Sequence, residues 1–365
     1  MERVPAANSS TINALIDAKA YYDALLYLLN ICFSLGITIY GFSLLANSVV
    51  IYIFFKEGFK STSNISFFAL GITDILVSIC WLFFNVRWHT QLARPYFDQL
   101  NLHIWKYVVI CADAMSSVGS WITAVITWER LCCIAFPLKV KRIFTRKLIA
   151  RLIVGGFVYE VVALVLYFVA DYIIDKENSR QRAAVYYADG SYRLNYTAAA
   201  TFGSNLRLFA RLSLTYIPNY ALYAAIVIGT VILVAVFLRS VQVKQQLTAN
   251  KDSQKMSTKE KKLIKSVIGV CLIYIVTCTP RNVYQTMLSL SASSTNSLPT
   301  RFAIMLQRYV EIVLSFNHAV NILVYLMVNS SFRERFMKLF CFCYYGKRVV
   351  VDPPAENAKE NKGTR

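Results

Sequence analysis

Seven long apolar stretches constrain this chain more than any other feature. They run over Leu25–Phe55, Asn64–Arg87, Tyr107–Ile134, Leu148–Ile174, Leu206–Leu238, Leu263–Leu290 and Phe302–Val328. Each is long enough for a helix to cross the hydrocarbon of a bilayer, which takes roughly 20 residues. In lipid the backbone must satisfy its own hydrogen bonds. The expected fold is therefore an all-α membrane protein, a seven-transmembrane helix bundle. Composition points the same way: charged residues make up only 16% of the 365, against about 25% in a soluble domain. No stretch repeats another at a fixed period, so an inverted-repeat transporter has no support.

The formal net charge is +19. On a soluble surface that excess would suggest nucleic acid; on a membrane protein it reports orientation. Lys and Arg outside the spans concentrate after spans one, three and five and in the tail. Basic excess marks the cytoplasmic side, so the N-terminus is expected outside and the C-terminus in the cytoplasm. MERVPAANSS lacks the basic region and short apolar core of a cleavable signal peptide, so span one should act as its own insertion signal. Two Asn-x-Ser/Thr sites, at Asn8 and Asn195, fall on the outer side, where glycosylation is possible. A third, at Asn329, falls inside and is read as chance. The domain order is an extracellular N-terminus (1–24), the bundle (25–330), an amphipathic membrane-surface helix (331–343) and a disordered cytoplasmic tail (344–365).

Local motifs narrow the class. Span three ends in Glu129-Arg130-Leu131-Cys132-Cys133-Ile134-Ala135-Phe136-Pro137-Leu138. Span one carries Asn47, and span two carries Asp74 within Ala69-Leu70-Gly71-Ile72-Thr73-Asp74. Span six carries Thr277-Cys278-Thr279-Pro280, and span seven carries Asn321-Ile322-Leu323-Val324-Tyr325. Phe332-Arg333-Glu334-Arg335-Phe336 follows. In this order and spacing the set resembles the rhodopsin-like G-protein-coupled receptors, from about residue 25 to 343. The runs Phe59-Lys60-Ser61-Thr62-Ser63-Asn64-Ile65-Ser66, Ser120–Arg130 and Pro137–Lys141 are similar to the chemosensory receptors of gastropod molluscs.

The resemblance implies roles. Asp74, a charge in lipid, would sit in a polar network with Asn47, Asn317 and Asn321; the bland alternative is a protonated structural Asp. The family's sodium site also uses a Ser on helix three, where this chain has Gly119. Pro280 should kink helix six. Arg130 would pair with Glu260, or with its neighbour Glu129, in the resting state. Arg130, Glu129, Glu260, Asn321 and Tyr325 are thus the expected coupling and activation residues, and a heterotrimeric G protein the expected partner. The departures are equally specific. Cys278 replaces the family's Trp on helix six, with Tyr274 one turn earlier on the same face. Ile322 replaces the helix-seven Pro, so that helix should be straighter. Helix four lacks the family's Trp. The usual disulfide from helix three to the second outer loop has Trp105 at its helix-three position, and the loop expected at about Asp171 to Arg211 has no Cys. Among nine Cys, only Cys341 and Cys343, beside the amphipathic helix, are palmitoylation candidates.

For the ligand, Asp113 lies 17 residues before Arg130, about 25 Å outward. Arg211, Arg281, Arg308 and Glu311 fall at similar outer levels of helices five, six and seven. These five side chains suit an extracellular small molecule or peptide with a carboxylate, because Arg binds carboxylates through its fork. The alternatives are internal pairing, as in Arg308–Glu311, and Arg side chains reaching back to the interface. Span seven has no Lys for a retinal Schiff base, and the three His are not clustered for a metal. No enzymatic activity, cofactor, metal or nucleic acid is expected. The expected function is a plasma-membrane receptor, with a chemosensory role ahead of a neuropeptide receptor and a seven-helix transporter.

Overall fold

The structure is a computed structural model, and it describes residues 9–59, 61–92, 102–187, 198–213, 220–247, 258–292, 300–328 and 330–340. The helices are α1 (Ser9–Glu57), α2 (Thr62–Leu92), α3 (Leu102–Ala135), α4 (Pro137–Ile143), α5 (Arg146–Tyr187), α6 (Ala198–Arg211), α7 (Tyr223–Leu247), α8 (Thr258–Ala292), α9 (Thr300–Ala319), α10 (Asn321–Val328) and α11 (Ser330–Phe340). Seven segments are long and apolar enough to cross a membrane: Asp23–Glu57, Thr62–His89, Lys106–Ala135, Arg146–Glu177, Tyr220–Arg239, Ile264–Leu288 and Met305–Met327. The chain is therefore a multi-pass membrane protein with a seven-helix architecture.

Several boundaries differ from the hydropathy reading because helix propensity does not stop at the membrane edge. The first helix begins at Ser9, within the segment read as an outer N-terminus. The fourth continues to Tyr187, and α6 follows, so much of the expected outer loop is helical. Helix formers such as Lys, Glu, Gln, Arg and Ala sustain that extension. Of the expected span Leu206–Leu238, the structure describes α6 and the two residues after it, and then the crossing segment from Tyr220 onward; residues 214–219 lie outside the described residues. The expected loop Pro137–Lys141 is the short helix α4, begun by Pro137 at its first turn.

The core runs the length of the bundle. At the α11 end of the bundle, Phe54 meets the Phe67, Tyr325 and Phe332 rings at the same 5.6 Å centroid separation. Phe332 is completely buried there, so it does not belong to the membrane face of α11. Ser331 and Arg335 bind Glu57 at 2.9 and 3.2 Å, fastening α11 to α1. On the exposed side of α11, the Lys338 bond holds the Glu334 carboxyl below its ordinary range. In mid-bundle, the indole of Trp121 fills the space beside α5, its Nε1 donating to the Leu152 carbonyl at 2.9 Å. A Cβ on Gly156 would come within 2.6 Å of that ring. The aromatic missing from helix four is thus supplied by helix three, and Gly156 makes the room.

The last transmembrane helix is not straighter for lacking Pro. It breaks at Val320, between α9 and α10. His318's carbonyl, which in a continuous helix would accept from residue 322, instead accepts Asn47 Nδ2 at 2.7 Å and Ser43 Oγ at 3.0 Å. Side chains of helix one entering the ladder break it as a proline would.

The end of the bundle opposite α11 has a charge clamp where a disulfide was unavailable. Asp171 of α5 is fully buried. It accepts Lys106 Nζ at 2.5 Å and Tyr107 Oη at 3.0 Å from α3, and Arg207 of α6 lies at 3.4 Å. Cys32, Cys80, Cys111, Cys132, Cys133, Cys271 and Cys278 form no disulfide.

Candidate functional site

The described polar side chains gather at three depths. Deepest in the bundle, Asp74 is enclosed by α9 and α10: His318 Nδ1 lies 2.8 Å from Oδ1, and Asn321 donates to Oδ2 at 2.9 Å. Asn47 joins through the His318 carbonyl rather than directly, and Ser78 Oγ donates to the Asp74 carbonyl at 2.6 Å. Asn317 is only half-buried and makes no bond to Asp74; its neighbour His318 takes that place. The polar network is therefore centred on a histidine that hydropathy reading passes over. Both Asp74 oxygens are engaged, and helix three offers only Gly119 at the matching level, with Thr73 Oγ1 3.5 Å from where its Cβ would stand.

At the α11 end, Arg130 is buried and held by α2 and its own neighbour. Its Nη2 donates to Ser63 Oγ at 2.6 Å, Glu129 Oε1 at 2.8 Å and Thr62 Oγ1 at 3.3 Å. Thr62 also donates to Glu129. Nε of Arg130 and Oε2 of Glu129 are buried without a hydrogen bond among the described residues. The acidic partner seen is Glu129; Glu260 lies in the first turn of α8 with its side chain outside the described residues. Helices three and six still meet one level up, where Tyr274 Oη donates to Ser120 Oγ at 2.9 Å and Thr127 Oγ1 lies 3.0 Å from Cys271 Sγ. Tyr274 thus occupies the bundle interior where Cys278 leaves no indole. Pro280 lies inside α8, where it removes one ladder bond.

At the end opposite α11, a cavity of about 60 Å³ opens between α2, α3, α8 and α9. Its wall includes Trp81, Asp113, Arg281, Tyr284, Gln307 and Glu311. Arg281 Nη2 donates to Asp113 Oδ1 at 2.7 Å, tying helix three to helix six just beyond Pro280. Arg308 donates to Glu311 Oε2 at 2.5 Å, and Gln307 donates to Oε1 at 2.9 Å. Arg308 is not part of the cavity wall. Its guanidinium stands 4.9 Å from the Phe33 ring centroid and 4.8 Å from that of Phe84. Cation–π contacts on both rings hold it behind Glu311. Four of the five side chains anticipated at this level are therefore assembled. The fifth, Arg211, is the last residue of α6, and its side chain lies outside the described residues. Asn8, Asn195, Cys341, Cys343 and the tail also lie outside them.

Residues 46–325 match the family described as 7 transmembrane receptor (rhodopsin family). Curated proteins give no match to this chain.

Proposed function

Since the chain belongs to the rhodopsin family of seven-transmembrane receptors, we propose that it is a plasma-membrane G-protein-coupled receptor with its N-terminus outside and its tail in the cytoplasm, opened by an extracellular ligand that carries a carboxylate. The observation that carries this reading is the Asp113–Arg281 pair, which spans helices three and six at the wall of the outer cavity. A carboxylate arriving at Arg281 competes with Asp113 for the same guanidinium. It thereby loosens an outer tie between the helix that ends in Arg130 and the helix that contains Pro280.

At the other end, an outward swing of α8 uncovers Arg130, α4 and the Lys-rich start of α8, and the G protein binds there. Arg130, Glu129, Glu260, Asn321 and Tyr325 belong to this switch; Asp74, Asn47 and His318 hold helices one, two and seven together beneath it. The resemblance of Ser120–Arg130 and Pro137–Lys141 to gastropod chemosensory receptors supports a chemosensory role ahead of a neuropeptide receptor. Asn8 and Asn195 are the proposed glycosylation sites, and Cys341 and Cys343 the palmitoylation sites.

Nucleotide exchange on a reconstituted G protein tests the assignment. Arg130→Ala is expected to abolish ligand-stimulated exchange while leaving ligand affinity within about twofold, because Arg130 is far from the cavity. Full coupling in that variant overturns the assignment.

A further inference from the structure

The cavity wall contains two carboxylates, Asp113 and Glu311, and one guanidinium, Arg281; Arg308, stacked on Phe33 and Phe84 outside the wall, pairs with Glu311, so Asp113 and Arg281 are the charge pair left to a ligand. The three wall charges act on one another: Glu311 lies within electrostatic range of both Asp113 and Arg281. Arg281 spends one bond on Asp113, and Asp113 Oδ2 has no hydrogen bond among the described residues. Resting on the receptor reading above, we propose that the ligand is a small zwitterion, an amino acid or close analogue, whose carboxylate binds Arg281 and whose ammonium binds Asp113.

Charge conservation in a poorly solvated space carries the argument. A simple monocarboxylate placed at Arg281 would leave the Asp113 carboxylate without its partner, and a partly buried site penalises uncompensated charge. A simple amine would draw Asp113 away and leave Arg281 unpaired. A zwitterion exchanges charge for charge: its carboxylate takes the planar fork of Arg281, its ammonium takes the freed aspartate, and the net charge of the site is unchanged. Glu311 is already balanced, its oxygens fixed by Arg308 and Gln307. Size sets the rest. The cavity is about 60 Å³ and open on one side, which is room for the head group of a small amino acid.

The test uses the full-length receptor in lipid with five probes: glycine, L-alanine, β-alanine, propionate and ethylamine. Thermal stabilisation reads binding, and nucleotide exchange reads coupling. The zwitterions are expected to act at concentrations at least about tenfold lower than propionate or ethylamine. Asp113→Asn should shift the preference toward propionate, and Arg281→Gln toward ethylamine, a reversal that loss of folding would not produce. Propionate matching the best zwitterion in the wild type overturns this inference and leaves the carboxylate reading standing. Stabilisation by none of the five at millimolar concentration also overturns it, while the Arg130→Ala experiment judges the receptor reading separately. An uncharged agonist whose potency survives Arg281→Gln overturns both ligand readings.

Discussion

His318 serves two structures at once. Its ring lies against Asp74, and its carbonyl accepts the side chains of Asn47 and Ser43, so helices one, two and seven meet on one residue. His318→Leu removes the ring partner and leaves a buried Asp74 oxygen without it. A buried polar group that loses its hydrogen-bond partner costs about 1–3 kcal/mol. A thermal inactivation assay should therefore show a clear loss in the single variant and partial recovery in His318→Leu/Asp74→Asn, whose neutral amide is less costly to bury. Equal losses in both would contradict the pairing. Asp74 and Asn321 are legible in the sequence because polar groups in an apolar helix have few readings. His318 is not, because a lone His in such a helix is as often a packed core residue, and its partner is 244 positions away. A second residue-scale expectation concerns Glu129, which fixes Arg130 against Ser63 and Thr62. A hydrogen bond to a charged group contributes about 1.5–3 kcal/mol. Glu129→Gln should raise basal nucleotide exchange at equal surface expression, and Glu260→Ala should raise it less, since Glu129 remains. Unchanged basal exchange in Glu129→Gln would remove Glu129 from the switch.

Among the helices, the outer clamp does what the family's disulfide does elsewhere. Asp171 holds α3 through Lys106 and Tyr107, and α6 through Arg207. Asp171→Asn keeps the shape and removes the charge. Because Lys106 and Arg207 each keep 32% side-chain exposure, solvent screens part of the effect, and a loss of about 1–3 kcal/mol is expected. Thermal stability should fall in that variant, whereas reductant should leave the wild type unchanged. Stability that falls with reductant and is indifferent to Asp171→Asn would point to a covalent tie instead. The missing Cys is legible in the sequence, but its replacement is not: Lys106 and Asp171 sit near the ends of their apolar stretches, where charges usually face water. The same limit applies to helix seven. Ile322 in place of Pro predicts a straight helix, yet the break comes from side chains of helix one, which no reading of helix seven alone contains. By contrast, six of the seven spans are legible to within three residues at each end, since hydrocarbon thickness fixes their length; the fifth crossing segment starts at Tyr220 rather than Leu206. The start of α1, the far part of α5 and α6 also escape a hydropathy reading.

For the whole molecule, the account links two ends of one bundle. Outside, Arg281 and Asp113 join helices six and three. Between the ends, Tyr274 and Ser120 join them again. Inside, Arg130 is folded back onto α2 and is not committed to α8 by any described contact. A ligand that separates the outer pair shifts the balance between two arrangements only by as much as it favours one of them. The most direct measurement is the distance between non-cysteine labels at Lys139 on α4 and Lys265 on α8, both exposed, in lipid with and without agonist and G protein. The account predicts that agonist widens this distance by several ångström in the wild type and that Arg281→Ala blunts the change. A distance that stays fixed while agonist drives full nucleotide exchange would contradict it.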